Sequence, residues 1–148
     1  MRIHHLGIAV ESLESAVPIF ELLLGKAPDS LETVEDQKVR VATFELREGR
    51  IELLESTGPD SPVARFVSRR GPGMHHLTLA VADLPEALER LQRKGMRLID
   101  TEPRIGAGKQ RIAFLHPSST AGVLIELVEE ESAGPKESGA GVQAKKEV

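Results

Sequence analysis

Hydrophobic and polar positions alternate along the first 130 residues in a pattern that predicts short strands and amphipathic helices. Residues 3–10 have the β-branched content and length of a strand, and residues 12–24 carry apolar side chains at helical spacing. Strand-like runs then follow over residues 31–34, 39–46 and 50–55. The order of these segments predicts a β-α-β-β-β unit.

The predicted first helix has clear end signals and one conflicting residue. Ser12 is a suitable N-cap and Gly25 a suitable stop. Pro18 falls beyond the first turn, where its missing N–H destabilises a helix. We therefore expect the helix to begin later, at Ser15, or to be kinked.

The same plan recurs in the second half of the chain. Residues 74–81 repeat residues 3–10 at an offset of 71 positions, and residues 125–129 repeat residues 51–55 at an offset of 74. Asp83 and Glu86 form a capping box for a second amphipathic helix, which ends at Lys94–Gly95. Further strands are predicted near residues 97–99, 111–115 and 123–129, and a short helical segment over residues 63–70.

Two near-equal offsets indicate one duplicated unit. We expect an α+β fold in which two tandem βαβββ modules, residues 1–57 and 73–130 with linker 58–72, pair into one curved, barrel-like mixed sheet. Together they would form a single domain over residues 1–130. Residues 131–148 lose apolar periodicity and are rich in Gly, Ala, Ser, Lys and Glu, so a disordered C-terminal tail is predicted there.

The two related strands each place a histidine on a face of small residues. Strand alternation puts His5 on one face with Gly7 and Ala9, and in the second unit it puts His76 with Thr78 and Ala80. These faces would line a concave interior. His4 and His75 should point to the opposite face and serve a structural role, whereas His116, at a strand end, fits either role.

Each unit also carries a glutamate inside an apolar strand, Glu52 in the first and Glu126 in the second. A lone histidine on a strand is most often a packed core residue, but an unpaired buried carboxylate is costly. Because the pairing of histidine and glutamate occurs twice, we interpret His5, Glu52, His76 and Glu126 as ligands of a divalent ion such as Co, Ni, Mn, Zn or Mg. They would leave two positions open for a substrate with two oxygens.

Composition excludes several other functions. A net charge of −4 with scattered basic residues argues against nucleic acid or an anionic membrane as a partner. The chain has no cysteine, which excludes disulfides and thiolate chemistry and fits a reducing compartment. No apolar run is long enough to span a bilayer, and no signal peptide is seen, so a cytoplasmic protein is expected.

Six stretches resemble the vicinal-oxygen-chelate superfamily, and within it the methylmalonyl-CoA epimerase family. The resemblance covers about residues 2–130. The stretches that carry it are His5-Leu6-Gly7-Ile8-Ala9-Val10, Ile51-Glu52-Leu53-Leu54-Glu55, Asp60-Ser61-Pro62-Val63-Ala64, Gly73-Met74-His75-His76, Phe114-Leu115-His116-Pro117 and Gly122-Val123-Leu124-Ile125-Glu126-Leu127. The last two together are the most specific.

The resemblance implies interconversion of (2R)- and (2S)-methylmalonyl-CoA, an acyl-CoA substrate, a divalent ion (most often cobalt) and a homodimer. It places the metal ligands at His5, Glu52, His76 and Glu126. This chain departs from the family at Val41, where some relatives carry a glutamate proposed as a base. It also has Ser118 where a lysine is frequent, and some relatives carry glutamine in place of Glu52.

The chemistry expected of such a site can be assigned to particular residues. Proton abstraction beside a thioester through a metal-stabilised enolate needs a base. Glu52 and Glu126 are the only carboxylates that the pattern places in the cavity, so one or both would act as ligand and base. Gln37 is expected to bind the substrate carboxylate, and Lys109 and Arg111 (with Arg104) the CoA phosphates; solvated loop cations explain the basic residues equally well.

Three other functions compete with the epimerase. Glyoxalase I uses the same set of two histidines and two glutamates, and only the stretches at residues 114–117 and 122–127 favour the epimerase over it. An extradiol dioxygenase needs only one carboxylate. A non-enzymatic binding protein would need aromatic walls, but the chain has four Phe and neither Tyr nor Trp.

Overall fold

Two copies of a β-α-β-β-β unit make up most of the structure, a computed structural model that describes residues 1–131. The first unit contains β1 (Arg2–Ala9), α1 (Leu13–Leu24), β2 (Ser30–Val34), β3 (Val39–Glu45) and β4 (Arg50–Ser56). Helix α2 (Pro62–Arg70) connects it to the second unit, which contains β5 (Gly73–Val81), α3 (Leu84–Arg93), β6 (Arg104–Ile105), β7 (Arg111–Leu115) and β8 (Ile125–Glu129). Apart from residue 131, the predicted tail lies outside the described residues.

All eight strands belong to one mixed sheet with the order β2-β3-β4-β1-β5-β8-β7-β6. Strands β1 and β5 pair antiparallel at its centre, and each pairs in parallel with the last strand of its own unit. The sheet curls into a half-barrel, which confirms the predicted α+β fold and the pairing of two related modules.

Helices α1 and α3 cover the convex face of the sheet, one for each unit. Leu13 of α1 packs against the buried side chains of Phe44 and Leu53. In the second unit, Leu84 and Leu88 of α3 pack in the same way in a cluster that includes Leu127. Helix α2 instead covers one end of the concave face, where Val63 packs with Ala9, Val41 and Leu54. None of the three helices is long and apolar enough to cross a membrane.

Helix α1 begins at Leu13 and includes Pro18, so the expected later start at Ser15 is wrong. The Ser12 hydroxyl caps the helix by accepting a hydrogen bond from the Ser15 N–H at 3.3 Å. Several apolar side chains of α1, including Phe20, pack on the sheet. We infer that this packing outweighs the backbone hydrogen bond lost at Pro18.

The strand predicted over residues 97–99 is also wrong. Leu98 makes only a single bridge to Leu115, and the strand that pairs with β7 is Arg104–Ile105. The reason is the Asp100 carboxylate, which accepts the N–H of Phe114 at 2.8 Å. This carboxylate replaces the backbone carbonyl that a neighbouring strand would offer to Phe114. The segment around Leu98 therefore leaves the sheet after its single bridge to β7.

Gly7 lies where the central strands must approach most closely. It pairs with Glu52 of β4 on one side and with His76 of β5 on the other. A Cβ atom built on Gly7 would lie 2.2 Å from Cε1 of His76. Glycine is therefore required here because the imidazole ring occupies the space of a side chain.

We predict that Gly7→Ala lowers the free energy of unfolding by about 1–3 kcal/mol, as overpacking of a rigid interior does, because the His76 ring must move. Chemical denaturation measures this loss. Gly58→Ala is the matched control, since an added Cβ there would meet only the Asp60 carboxylate oxygen, at 3.3 Å. Equal stability of the two variants would contradict the close packing of His76 on Gly7.

Candidate metal centre

The register of the central strands brings all four predicted metal ligands together. One row across the sheet contains Glu52, Gly7 and His76. The adjacent row contains His5, Thr78 and Glu126. The two units thus contribute one histidine and one glutamate each, on the concave face.

The side-chain atoms converge on a small volume. His5 Nε2 lies 3.2 Å from Glu52 Oε1 and 3.2 Å from His76 Nε2. Glu126 Oε1 lies 3.6 Å from the Nε2 atom of each histidine. Ligand atoms of His5, Glu52 and His76 all lie within 4.8 Å of one another, so these three residues could hold a metal ion.

Both carboxyl groups are buried without a cationic partner. Within residues 1–131, neither Glu52 nor Glu126 forms an ion pair with a lysine or arginine. Burial, with the nearby Glu126 carboxylate, raises the pKa of Glu52 to about 8. Burial also raises the pKa of Glu126 to about 7, although its hydrogen bond from Thr78 opposes this shift. The cluster therefore lacks positive charge.

The two histidines cannot supply that charge. Burial lowers the pKa of His76 to about 3, and burial and the neighbouring His76 hold the pKa of His5 well below its usual range. Neutral imidazole nitrogens and carboxylate oxygens are ligands that divalent transition metals accept. A bound dication would supply the missing charge, so this set of residues fits the predicted metal ion.

Two β-bulges bring a second histidine beside each candidate ligand. The β1–β5 register passes from Ile3 to His5 and from His76 to Met74, so His4 and His75 are the extra residues. The predicted alternation to the opposite face is therefore wrong at these positions, because a bulge interrupts it.

The extra histidines contact the ring nitrogens that face away from the cluster. His4 Nδ1 lies 2.8 Å from His5 Nδ1, and His75 Nδ1 lies 3.0 Å from His76 Nδ1. A hydrogen bond at Nδ1 fixes the ring orientation and leaves Nε2 directed at the site. The doubled His-His sequence therefore supports the site from both units.

Thr78 is a site residue that the sequence reasoning did not single out for function. Its hydroxyl donates to Glu126 Oε1 at 2.6 Å and lies 3.0 Å from His5 Nε2. The available signal was the repeat itself, because the equivalent position in the first unit is Gly7. In the first unit Gly7 leaves room for the His76 ring, and in the second unit Thr78 donates a hydrogen bond to Glu126.

The cavity beside the cluster contains more carboxylates than predicted. It is lined by Glu52, Glu126 and Gln37, but also by Glu32 and Glu45. The expectation that Glu52 and Glu126 are the only carboxylates there is therefore wrong. Glu32 comes from the edge strand β2, whose side-chain directions the sequence pattern did not resolve.

The other predicted substrate-binding residues lie elsewhere. Lys109 and Arg111 do not line this cavity, and Arg111 is paired with Glu129 at 2.9 Å. His116 caps a short 3-10 turn, where its Nδ1 accepts the Ser118 N–H at 3.1 Å. This contact favours the structural role for His116.

Comparison with known proteins identifies the class. Residues 4–114 match the family model described as Glyoxalase/Bleomycin resistance protein/Dioxygenase superfamily. Because the match covers most of the chain, the protein belongs to that superfamily.

Several of its relatives within the superfamily are named methylmalonyl-CoA epimerases. The chain is 36% identical to the ethylmalonyl-CoA/methylmalonyl-CoA epimerase of Cereibacter sphaeroides over 85% of its own length and 96% of that protein. It is 44% identical to the uncharacterized protein YqjC of Bacillus subtilis, over 86% of the chain and 91% of that protein. A methylmalonyl-CoA epimerase solved with methylmalonyl-CoA and NH4+ superposes with a TM-score of 0.85 at 33% identity, covering 91% of this chain and 98% of the other.

The buried carboxyl groups predict a distinctive pH dependence of the metal-free protein. In the unfolded chain a glutamate ionises near pH 4.5, but in the folded protein Glu52 holds its proton up to about pH 8 and Glu126 up to about pH 7. The folded state thus binds more protons across this range, so stability falls as pH rises. Burial lowers the pKa of four histidines, His4, His5, His75 and His76. These histidines have the opposite effect, because the unfolded chain binds their protons below and around the ordinary pKa of about 6.5. This effect fades above about pH 7.

We therefore predict that chelator-treated protein loses about 1 kcal/mol of unfolding free energy between pH 7 and 8, since one pKa unit corresponds to about 1.4 kcal/mol and the contribution of the two glutamates exceeds that of the histidines there. Urea denaturation at several pH values measures the slope. Glu52→Gln removes the larger contribution and should flatten the curve. A stability that is constant or rises over this interval in the metal-free protein would contradict the unpaired burial of Glu52.

Proposed function

We propose that this protein is a metal-dependent epimerase that interconverts (2R)- and (2S)-methylmalonyl-CoA. The main support is the convergence of two neutral histidines and two buried carboxyl groups, His5, His76, Glu52 and Glu126, on one small volume of the concave face. Such a set can bind a divalent ion and also offers a carboxylate as a general base. Relatives named as methylmalonyl-CoA epimerases favour this substrate over that of glyoxalase I, which the four ligands alone do not separate.

The reaction moves one proton off and onto a single carbon atom. The α-carbon of a methylmalonyl thioester lies between a carboxylate and a thioester carbonyl. A base takes the α-proton, the electron pair of the C–H bond delocalises onto the carbonyl oxygen, and a proton returns to the opposite face. His5, Glu52, His76 and Glu126 would hold a divalent ion, which would supply Lewis-acid stabilisation of the negative charge that develops on oxygen.

The local contacts suggest different roles for the two glutamates. Glu126 accepts a hydrogen bond from the Thr78 hydroxyl at 2.6 Å, which fixes its orientation. The Thr78 hydroxyl also contacts His5. A carboxylate with a fixed orientation is suited to proton transfer at a defined atom. Glu52 has no such partner and lies closer to His5, at 3.2 Å, which suits a ligand. We propose Glu126 as the principal base and Glu52 mainly as a ligand.

Position 41 does not provide a second base in this chain. Val41 is buried with only 2% of its surface exposed and packs in the cluster beneath α2. Gln37 lines the cavity and is proposed to bind the substrate carboxylate. The remaining expectations, which are cobalt as the metal, a homodimer, a cytoplasmic location and CoA contacts from Lys109 and Arg111, stay predictions.

Matched amide variants separate the ligand role from the base role. Glu52→Gln keeps an oxygen able to bind metal, so we expect it to retain metal and much of its turnover. Glu126→Gln removes the proposed base and should lose at least about 10²-fold in turnover. The measurement is two rates for each variant at saturating metal, α-proton exchange with solvent and epimerisation.

The two rates have distinct outcomes. If only one face loses its base, Glu126→Gln still exchanges the proton of one stereoisomer but fails to invert it. Equal small losses in both variants would contradict either glutamate as the base. The proton carrier would then have to be another group of the same cavity, such as Glu32 or bound water.

A further inference from the structure

A groove next to the metal centre is lined by the three arginines of helix α2. Arg65, Arg69 and Arg70 lie along one side of it. The groove encloses about 500 Å³, and its lining includes no aspartate or glutamate among the described residues. His76 lines both this groove and the cavity of the metal centre, so the two adjoin at its imidazole ring.

None of the three arginines forms an ion pair within residues 1–131, although the Lys38 side chain and, to a smaller extent, the charge of Arg65 lower the pKa of the exposed Asp60 carboxyl. Arg65 donates to the backbone oxygen of Asp60 at 2.8 Å, and Arg70 lies over the Phe66 ring with 5.7 Å to its centroid. Most other arginines are paired with carboxylates, as Arg50 is with Glu45. The α2 arginines are therefore available to bind an anion.

Helical spacing concentrates these charges on one side of α2. Arg65 and Arg69 are four residues apart, as are Phe66 and Arg70, so both pairs project from neighbouring positions of the same surface. Interaction with the helix dipole would account for arginines in the last turn alone. It does not account for Arg65, which lies in the middle of the helix and lines the same groove.

The opposite cavity has the wrong charge for phosphate. Glu32 and Glu45 line it together with Glu52 and Glu126, against a single arginine, Arg50. Phosphate groups entering from that side would meet like charge. A third cavity lined by His76 carries one charged residue of each sign, Asp36 and Arg104, so of these three cavities within residues 1–131 only the groove along α2 is lined by arginines without a carboxylate.

The groove also offers an apolar surface between the arginines and the metal centre. Met74 and Val123, which line it, are 59% and 47% exposed, and Phe66 and Leu124 lie beside them. The groups of a CoA thioester follow the same order as the metal centre, the apolar surface and the arginines. Its acyl group carries the reacting carbon, its pantetheine arm is a narrow chain, and its phosphates lie at the far end.

We propose that this α2 groove binds the CoA portion of the substrate, with the phosphates on Arg65, Arg69 and Arg70 and the pantetheine arm along Met74 and Val123. This proposal rests on the proposed function, which places the acyl group of the substrate at the metal centre. It assigns phosphate recognition to α2, whereas the sequence had suggested Lys109 and Arg111. The guanidinium fork is well suited to phosphate oxygens.

The test compares two substrates that differ only in phosphate. We expect the double variant Arg69→Ala/Arg70→Ala to raise KM for methylmalonyl-CoA at least about tenfold, the effect of losing a charge-assisted hydrogen bond, with kcat nearly unchanged. Its KM for methylmalonyl-pantetheine, which has no phosphate, should stay at the wild-type value. Arg93→Ala on α3, whose side chain is 63% exposed, is the control for loss of a surface charge.

Three results would overturn the proposal. One is an unchanged KM for methylmalonyl-CoA in the double variant, and another is an equal rise in KM for both substrates. The third is a rise in KM for methylmalonyl-CoA that occurs in Lys109→Ala or Arg111→Ala but not in the α2 variant. Both α2 arginines are exposed, and thermal unfolding together with an Arg69→Gln/Arg70→Gln variant verifies that the fold is intact.

Calorimetric titration with coenzyme A itself separates this proposal from the proposed function. Binding that weakens in the α2 variant but not in Arg93→Ala supports the groove even if no epimerisation is found. Absence of coenzyme A binding to the wild-type protein would count against the groove even if the smaller pantetheine substrate is turned over.

Discussion

The structure depends on an electrostatic constraint at its centre, two buried carboxyl groups that form no ion pair with a lysine or arginine among the described residues. Glu52 is 6% exposed and Glu126 is 5% exposed, and the nearest titratable partners are histidines that burial keeps neutral. A core built for stability alone would avoid this arrangement, because unpaired buried charge is costly. A divalent ion bound between the two glutamates and the two histidines would resolve the constraint.

The duplicated unit explains how the chain assembles this centre with few residues. Strands β1 and β5 meet across the pseudo-symmetric middle of the sheet, so each histidine faces the other unit. The positions between them differ in a way that serves the site. Gly7 leaves room for the His76 ring, and its counterpart Thr78 holds Glu126. Symmetry brings the four side chains together, and this asymmetry gives the two glutamates different surroundings.

Local periodicity and the repeat were enough to predict the fold and the convergence of the four side chains. Features that depend on long-range contacts were not predictable in this way. Alternation failed at His4 and His75 because a bulge is set by the pairing of two distant strands. The strand at residues 97–99 failed because a side chain, Asp100, replaced a backbone partner. The sign of charge on each side of His76 also emerges only when α2 and β2 are placed around the sheet.

The most direct test of a metal-dependent proton transfer at this centre is deuterium incorporation at the α-carbon of methylmalonyl-CoA in D₂O. The wild-type protein is followed by NMR in three states, as purified, after treatment with chelator, and after addition of a divalent ion. The account predicts incorporation that stops with chelator and returns with the ion. Incorporation at an undiminished rate in metal-free protein, or none in the metal-loaded protein, would contradict it.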